Sequence, residues 1–214
     1  GRDLDRVALI GASTGGIDAL ISVLRHFPVD CVPTAIVQHT GRGFSSSLVR
    51  VLARRCAARV RVAEDAMILE RGMICVAGGL DGHLRLLQTR DLRFRCSVQP
   101  GPPVSGQIPS IDVLFHSALP FADRVVGAIL TGMGADGADG LSALRKAGAV
   151  TIGQDEASSV IYGMPRVAME VGAVQMQLPL EQIGPAIIQM AQRREPAGPG
   201  LGAGLGARRG ANDG

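Results

Sequence analysis

The chain contains short, mostly apolar runs at residues 7–10, 34–38 and 124–130. Runs of this length, bounded by turn residues, are typical of strands that are buried on both faces of a parallel sheet. Apolar residues also recur at helical spacing over residues 17–26 and 45–59, after the first and second of these runs. The alternation of strand and helix predicts an α/β domain built around a parallel sheet.

The pattern then becomes shorter and alternating. A strand predicted over residues 72–79 leads into Asp81 and Gly82, the dipeptide typical of a tight hairpin turn. Residues 83–96 alternate apolar and polar positions around a polar turn, which indicates a half-exposed antiparallel pair. We therefore expect an antiparallel hairpin addition at the edge of the parallel sheet, near residues 73–97.

The last twenty residues of the chain differ in composition from the rest. The pattern predicts further strands and helices up to residue 194, with Pro185 in the first turn of the last helix. Residues 195–214 consist largely of glycine, alanine and proline, and such a composition cannot bury enough apolar surface to fold. We expect one domain over residues 1–194 and a disordered low-complexity tail over residues 195–214.

The amino-acid composition is that of a folded domain and argues against some classes of binding partner. Hydrophobic residues make up 46% of the 214 residues, and the formal net charge is only +3. The chain has no tryptophan and a single tyrosine, which argues against a stacking surface for nucleic acid. Neither a long apolar span nor a signal peptide is visible, so we expect a cytoplasmic protein that does not insert into membranes.

The cysteines and two of the histidines do not suggest a metal site. The cysteines are far apart in the sequence and form no C-x-x-C pair: Cys31, Cys56, Cys75 and Cys96. We interpret them as core thiols in a reducing compartment and expect no metal. His83 and His116 do not follow a predicted parallel strand, and we interpret both as structural residues.

The glycine-flanked turn after the first apolar run is the first candidate for chemistry. Residues 11–15 fit the pattern G-x-S-x-G, in which glycines allow a sharp strand-to-helix turn that presents the central Ser13. Two other interpretations stay open, because a glycine-rich turn at a helix N-terminus also binds anions or serves as a simple turn. The motif is neither G-x-G-x-x-G nor a Walker loop.

His39 and Asp136 follow the other two apolar runs. Because the carboxyl ends of parallel strands meet at one edge of the sheet, we expect Ser13, His39 and Asp136 to lie close together. In a catalytic site Ser13 would attack, His39 would take its proton, and Asp136 would orient the imidazole. Asp139 lies in the same glycine-rich loop, and both aspartates also suit turn and helix-capping roles. The backbone N–H of Thr14 would be the first donor to an oxyanion.

Five ordered motifs carry a resemblance to a known family. They are residues 10–16 (IGASTGG), 37–39 (VQH), 109–115 (PSIDVLF), 130–137 (LTGMGADG) and 154–165 (QDEASSVIYGMP). Over about residues 7–192 the chain resembles the catalytic domain of the bacterial chemotaxis protein-glutamate methylesterases. The resemblance implies a doubly wound, mostly parallel sheet with helices on both faces.

The resemblance also implies an activity. It assigns Ser13 as nucleophile, His39 as base and Asp136 as its orienter, and it makes the backbone N–H of Met133 the second oxyanion donor beside that of Thr14. The implied reaction is hydrolysis of glutamate methyl esters on chemoreceptor helices, which releases methanol, together with deamidation of certain receptor glutamines. No metal or organic cofactor is implied.

The family's phosphoacceptor receiver domain, which covers the site, is expected to be absent, because residue 7 already begins the first predicted strand. A non-catalytic receptor-binding adaptor of the same fold is one alternative. A nucleotide-binding or anion-binding α/β module is the other, since the turn around Ser13 also suits an anion.

Overall fold

The computed structural model describes residues 6–192, which contain two sheets. The strands are β1 (Val7–Ala12), β2 (Thr34–Gln38), β3 (Arg59–Val62), β4 (Ile68–Leu69), β5 (Met73–Ala77), β6 (His83–Gln88), β7 (Phe94–Gln99), β8 (Val125–Ile129), β9 (Val150–Gln154) and β10 (Met176–Leu178). The helices are α1 (Gly16–Leu24), α2 (Ser45–Ala53), α3 (Ile111–Ser117), α4 (Ala138–Lys146), α5 (Met164–Glu170) and α6 (Leu180–Gln192). A 3₁₀ segment, Leu119–Arg124, precedes β8.

The larger sheet is parallel and centred on β1. Its strand order is β10-β9-β8-β1-β2-β5-β3, so the chain extends from β1 to one side through β2 and later adds β8, β9 and β10 on the other side. The direction of winding therefore reverses between β1 and β8, and open α/β sheets bind ligands at the carboxyl ends of the strands at such a point. This is the doubly wound architecture that the family resemblance implies.

The burial of β1 explains why helices cover both faces. All six residues of β1 are buried, and successive side chains of a strand point to opposite faces. Leu9 packs in a core that includes Phe115 of α3, whereas Ile10 packs in a second core that includes Leu20 of α1. Two apolar layers of this kind hold the sheet between helices.

The antiparallel unit near residues 73–97 is present, but its arrangement differs from the expectation. The hairpin of β6 and β7 pairs with β4 in a separate three-stranded sheet, and β5 lies inside the parallel sheet between β2 and β3. The residues of β5 are all buried, which suits an interior parallel strand rather than a half-exposed hairpin strand. Asp81 and Gly82 therefore connect two sheets, and the predicted hairpin turn between β5 and β6 is wrong.

Two helix ends also differ from the prediction. Helix α2 ends at Ala53, six residues before the end of the predicted helical stretch, and the edge strand β3 begins at Arg59. Helix α6 begins at Leu180, so Pro185 lies inside it rather than in its first turn. The Leu180 N–H donates to Ser158 Oγ at 3.0 Å, and burial of Ile183 and Ile187 stabilises a helix that lacks one backbone donor.

The predicted tail over residues 195–214 lies outside the described residues. Among residues 6–192, no helix is both long and apolar enough to span a bilayer. Cys31, Cys75 and Cys96 are buried and Cys56 is half-buried, and all four are free thiols.

Candidate active site

Ser13 lies in a sharp turn between β1 and α1. Its backbone N–H donates to the Thr131 carbonyl at 3.0 Å, and Gly15, which precedes α1, has a φ of 78°. A positive φ favours glycine, so this position supplies the abrupt change of direction that the motif predicts. The Ser13 side chain is half-buried, and within the described residues its hydroxyl has no hydrogen-bond partner.

His39 immediately follows β2 and is aligned with Ser13. The register pairs Ala12 with Gln38, and the His39 N–H donates to the Ala12 carbonyl at 3.0 Å. The ring Nε2 lies 2.7 Å from Oδ2 of Asp136. The ring Nδ1 is buried and has no partner among residues 6–192. With the proton on Nε2, donated to Asp136, the free lone pair of the imidazole is on Nδ1.

Asp136 is held at the start of α3. It is 2% exposed, and besides His39 its carboxylate accepts the Ser110 hydroxyl at 2.7 Å, the Ile111 N–H at 2.7 Å and the Asp112 N–H at 3.0 Å. Burial raises the pKa of this carboxyl, but the hydrogen bonds from His39 and the α3 residues together outweigh burial and leave the pKa below its usual value. Asp136 is therefore an anion fixed beside His39.

The structure separates the two aspartates of the glycine-rich loop. Asp139 lies in the first turn of α4, with its Oδ2 2.8 Å from Nε2 of His116, and its side chain is 83% exposed. His39 contacts Asp136 instead. Of the two candidates, only Asp136 is placed to orient the predicted base.

Two backbone N–H groups beside Ser13 have no acceptor within residues 6–192: those of Thr14 and Met133. Gly132 brings the second loop close to the first, because a Cβ added to it would lie only 2.5 Å from Cβ of Ser13. The Gly132 carbonyl accepts the Met164 N–H at 2.8 Å and the Gly163 N–H at 3.2 Å. In a trans peptide the N–H points away from the carbonyl, so these bonds fix the direction of the Met133 N–H.

Comparison with known proteins identifies the family. A family model described as CheB methylesterase matches residues 8–187. The chain belongs to the CheB methylesterase family. This membership agrees with the resemblance carried by the five sequence motifs and with the observed doubly wound fold.

Named relatives and a solved structure extend the comparison. A Gluconobacter oxydans protein named protein-glutamate methylesterase/protein-glutamine glutaminase is 54% identical over 187 residues, which are 86% of this chain and 53% of that protein. A Caulobacter vibrioides protein with the same name, numbered 1, is 49% identical over 189 residues, covering 88% of this chain and 54% of its own. The chain thus spans about half the length of the curated relatives it matches.

The structural match covers nearly all of a single domain. The crystal structure of the Thermotoga maritima CheB methylesterase catalytic domain matches with a TM-score of 0.83 and 28% sequence identity. The match covers 87% of this chain and 98% of that one. The described residues therefore have the fold of the CheB methylesterase catalytic domain.

Several residues of this CheB-family site were not singled out from the sequence. His83, interpreted only as structural, is 1% exposed; its Nδ1 accepts the Ser110 N–H at 3.1 Å and its Nε2 lies 2.8 Å from the Pro102 carbonyl. His83 thereby fixes the position of Ser110, whose hydroxyl donates to Asp136. No spacing rule links His83 to Asp136, because the contact depends on how the small sheet packs beside α3.

A second buried carboxyl, that of Asp112, adjoins Asp136. Its Oδ1 accepts the Gly140 N–H at 2.7 Å, its Oδ2 accepts the Ser105 hydroxyl at 3.4 Å, and the residue is buried. Burial raises the pKa of Asp112 above its usual value; the Gly140 bond opposes this shift, and the negative charge of Asp136 adds to it. Among residues 6–192, no group of acidic, histidine or cysteine side chains is arranged to hold a metal ion.

We expect Asp112→Asn to raise the unfolding temperature at about pH 7. This pH lies well above the ordinary pKa of an Asp side chain. A pKa raised by folding means that the ionised carboxyl costs stability at high pH, and that this cost disappears below the unfolded-state pKa. Asparagine removes the charge and keeps an oxygen for the Gly140 N–H. Thermal unfolding should show the gain near pH 7 and a smaller gain near about pH 3. A variant less stable than wild type at both pH values would contradict this assignment.

Proposed function

We propose that this chain is a serine hydrolase that removes methyl groups from glutamate methyl esters of chemoreceptors. One observation carries the proposal: the buried side chains of His39 and Asp136 form a pair, 2.7 Å apart, and His39 follows β2, the strand that is paired with β1 just before Ser13. Relatives that are about half identical over this domain bear the name protein-glutamate methylesterase/protein-glutamine glutaminase. The geometry and the family point to the same chemistry.

The first half of the reaction forms an acyl-enzyme. Ser13 Oγ attacks the ester carbonyl while its proton passes to Nδ1 of His39, and ionised Asp136 stabilises the resulting imidazolium. The N–H groups of Thr14 and Met133 donate to the tetrahedral oxyanion. The intermediate collapses, the carbon–oxygen bond to the methoxy group breaks, and Nδ1 returns the proton to release methanol.

The second half regenerates the serine. A water molecule gives its proton to Nδ1 of His39 and attacks the glutamyl ester on Ser13. Collapse of the second tetrahedral intermediate returns the proton to Ser13 Oγ and releases a glutamate side chain. With a glutamine substrate the same steps release ammonia in place of methanol, which accounts for the proposed second activity as a protein-glutamine glutaminase. These steps use protein groups and water, without a cofactor.

The surroundings of Ser13 suit a macromolecular substrate. Met133 is 72% exposed and Val160 is 66% exposed, and Val160 packs against Gly15 in the turn after Ser13. Exposed apolar side chains beside a reactive group are typical of a surface that contacts another protein. We propose that the partners are the cytoplasmic helices of methyl-accepting chemoreceptors, and that the protein acts in the cytoplasm in bacterial chemotaxis.

Methanol release tests the proposed function. Chemoreceptors carrying isotopically labelled methyl esters are incubated with the purified chain, and volatile label is measured over time. We expect release that is proportional to enzyme concentration. Receptor binding without release would support the adaptor of the same fold, and a rise in melting temperature with nucleotides, without release, would support the nucleotide-binding module.

A further inference from the structure

We propose that Gln38 is a positioning residue for both Ser13 and His39, and that its side-chain amide aims the Thr14 N–H at the oxyanion. The inference rests on the proposed nucleophilic role of Ser13. Gln38 is the last residue of β2, and it is 3% exposed. Its place in the chain, directly before His39, gives no indication that it also contacts the nucleophile loop.

The Gln38 amide nitrogen bridges the two catalytic loops. Nε2 lies 2.9 Å from the Ser13 carbonyl oxygen and 2.9 Å from the His39 carbonyl oxygen. An amide nitrogen has two N–H groups, so it can donate to both carbonyls at once. Rotating the amide by 180° would place Oε1 against two carbonyl oxygens and lose both bonds. The donor end must therefore face the catalytic loops.

The acceptor end of the same amide is unsatisfied. Oε1 of Gln38 is buried and has no hydrogen-bond partner among residues 6–192. A buried polar atom without a partner costs free energy, and most core positions avoid it. An apolar side chain of similar size would fill this space without that cost. The two hydrogen bonds that Nε2 donates therefore offset the cost of burying Oε1 without a partner.

Fixing the Ser13 carbonyl also fixes the Thr14 N–H. The two groups belong to one planar trans peptide unit and point in opposite directions. The carbonyl accepts from Gln38 Nε2 and from the Gly16 N–H, the latter at 2.7 Å, which leaves the peptide little freedom to rotate. The free Thr14 N–H is thus directed away from Gln38. Oxyanion donors accelerate reactions because their direction is set before the charge develops.

Gly16 leaves the space that the Gln38 amide occupies. A Cβ added at position 16 would overlap Oε1 of Gln38 and would also come within 2.8 Å of Cβ of Ala12. Because the end of a glutamine side chain is flexible, we expect an alanine at position 16 to push the amide out of place. Gly16→Ala therefore disturbs the same two bonds without changing Gln38 itself.

The test compares Gln38→Met with Thr34→Val. Methionine retains most of the volume and loses both donors. Thr34 is buried at the opposite end of β2, where its hydroxyl donates to the Val32 carbonyl at 2.8 Å, so Thr34→Val removes a buried bond of the same strand away from the site. Two rates are measured: phosphonylation of Ser13 by a fluorophosphonate, and methanol release from methylated receptors with kcat and KM separated.

We expect Gln38→Met to lower both the labelling rate and kcat by about 10- to 100-fold, since loss of one oxyanion donor costs up to about 10³-fold. KM should change little, because the amide does not face the substrate. Thr34→Val should stay within about twofold of wild type in both rates, as a substitution away from the site changes little beyond stability. Wild-type rates in folded Gln38→Met would overturn the proposal, as would equal losses in Thr34→Val.

Gly16→Ala gives an independent test if Gln38→Met does not fold. We expect a comparable loss of labelling rate in Gly16→Ala, and wild-type labelling in folded Gly16→Ala would overturn the proposal. Where Gln38→Met folds, Gly16→Ala should have less effect in that background than alone, because both changes act through the same bonds. Fully additive losses would also overturn it.

The outcomes separate this inference from the proposed function. Labelling of wild-type Ser13 without methanol release would refute the proposed substrate, while the labelling rates would still test Gln38. If wild type releases methanol but is not labelled, the kcat of Gln38→Met tests the role of Gln38. A wild-type chain that neither reacts with the fluorophosphonate nor releases methanol would overturn both.

Discussion

Ser13→Ala is expected to reduce methanol release by about 10⁴-fold or more, because removal of a nucleophilic serine leaves only the binding and oxyanion contributions. The fold should be retained. The Ser13 side chain is half-buried, and within the described residues its hydroxyl donates no hydrogen bond. Initial rates of methanol release and the melting temperature are measured on the same preparation, and the melting temperature should stay within about 2 °C of wild type.

Ser46→Ala is the matched control for this substitution. Ser46 is an exposed serine of α2, and replacing it removes the same atom outside the proposed site. Its rate should equal that of wild type. Substantial methanol release by Ser13→Ala would show that another group attacks the ester.

Asp136→Asn should lower kcat by about 10⁴-fold, as the corresponding change does in a well-studied serine protease. The carboxylate accepts a hydrogen bond from the Nε2–H of His39, and this tautomer leaves Nδ1 unprotonated. An amide N–H facing Nε2 would favour the other tautomer, with the proton on Nδ1 and no base toward Ser13. In either orientation, the NH₂ group of the asparagine would replace an oxygen that accepts a hydrogen bond from Ser110 or Ile111. Because a buried bond is lost, the variant should unfold at a lower temperature.

Asp139→Asn is the comparison that isolates this effect. Asp139 follows the same loop, but it pairs with His116 at the surface. Its loss should change kcat by less than about twofold, since exposed ion pairs contribute little. A large loss in Asp139→Asn together with normal activity in Asp136→Asn would show that the wrong aspartate had been assigned.

The sequence was sufficient to predict the parallel sheet and the contact between His39 and Asp136, and to place Ser13 at the same edge of the sheet. Short buried strands followed by Ser13, His39 and the loop of Asp136 indicate one edge of a parallel sheet, because strand polarity alone determines where their ends lie. All residues of β1 and β2 are buried, as short apolar runs of this kind predict. Local periodicity could not show that β5 joins the parallel sheet, since a short apolar strand suits either sheet.

The supporting contacts of the site were harder to predict. Gln38, Ser110 and His83 act through side chains that reach across sequence separations of 25, 26 and 27 residues. Such contacts depend on the packing of whole elements, and no local pattern encodes them. The family resemblance favoured Asp136 over Asp139, and the bonds that Asp136 accepts from Ile111 and Asp112 of α3 give the physical reason for its position.

Stepwise inactivation by a fluorophosphonate tests the central assignment most directly. Samples with increasing fractions of labelled protein are divided, one part for peptide mass spectrometry to locate and count the adduct, and the other for methanol release from methylated receptors. We predict that the adduct lies on Ser13 and that activity falls in direct proportion to its occupancy, reaching zero at one adduct per chain. Full methanol release from protein whose Ser13 is completely labelled would contradict the assignment of Ser13 as the nucleophile.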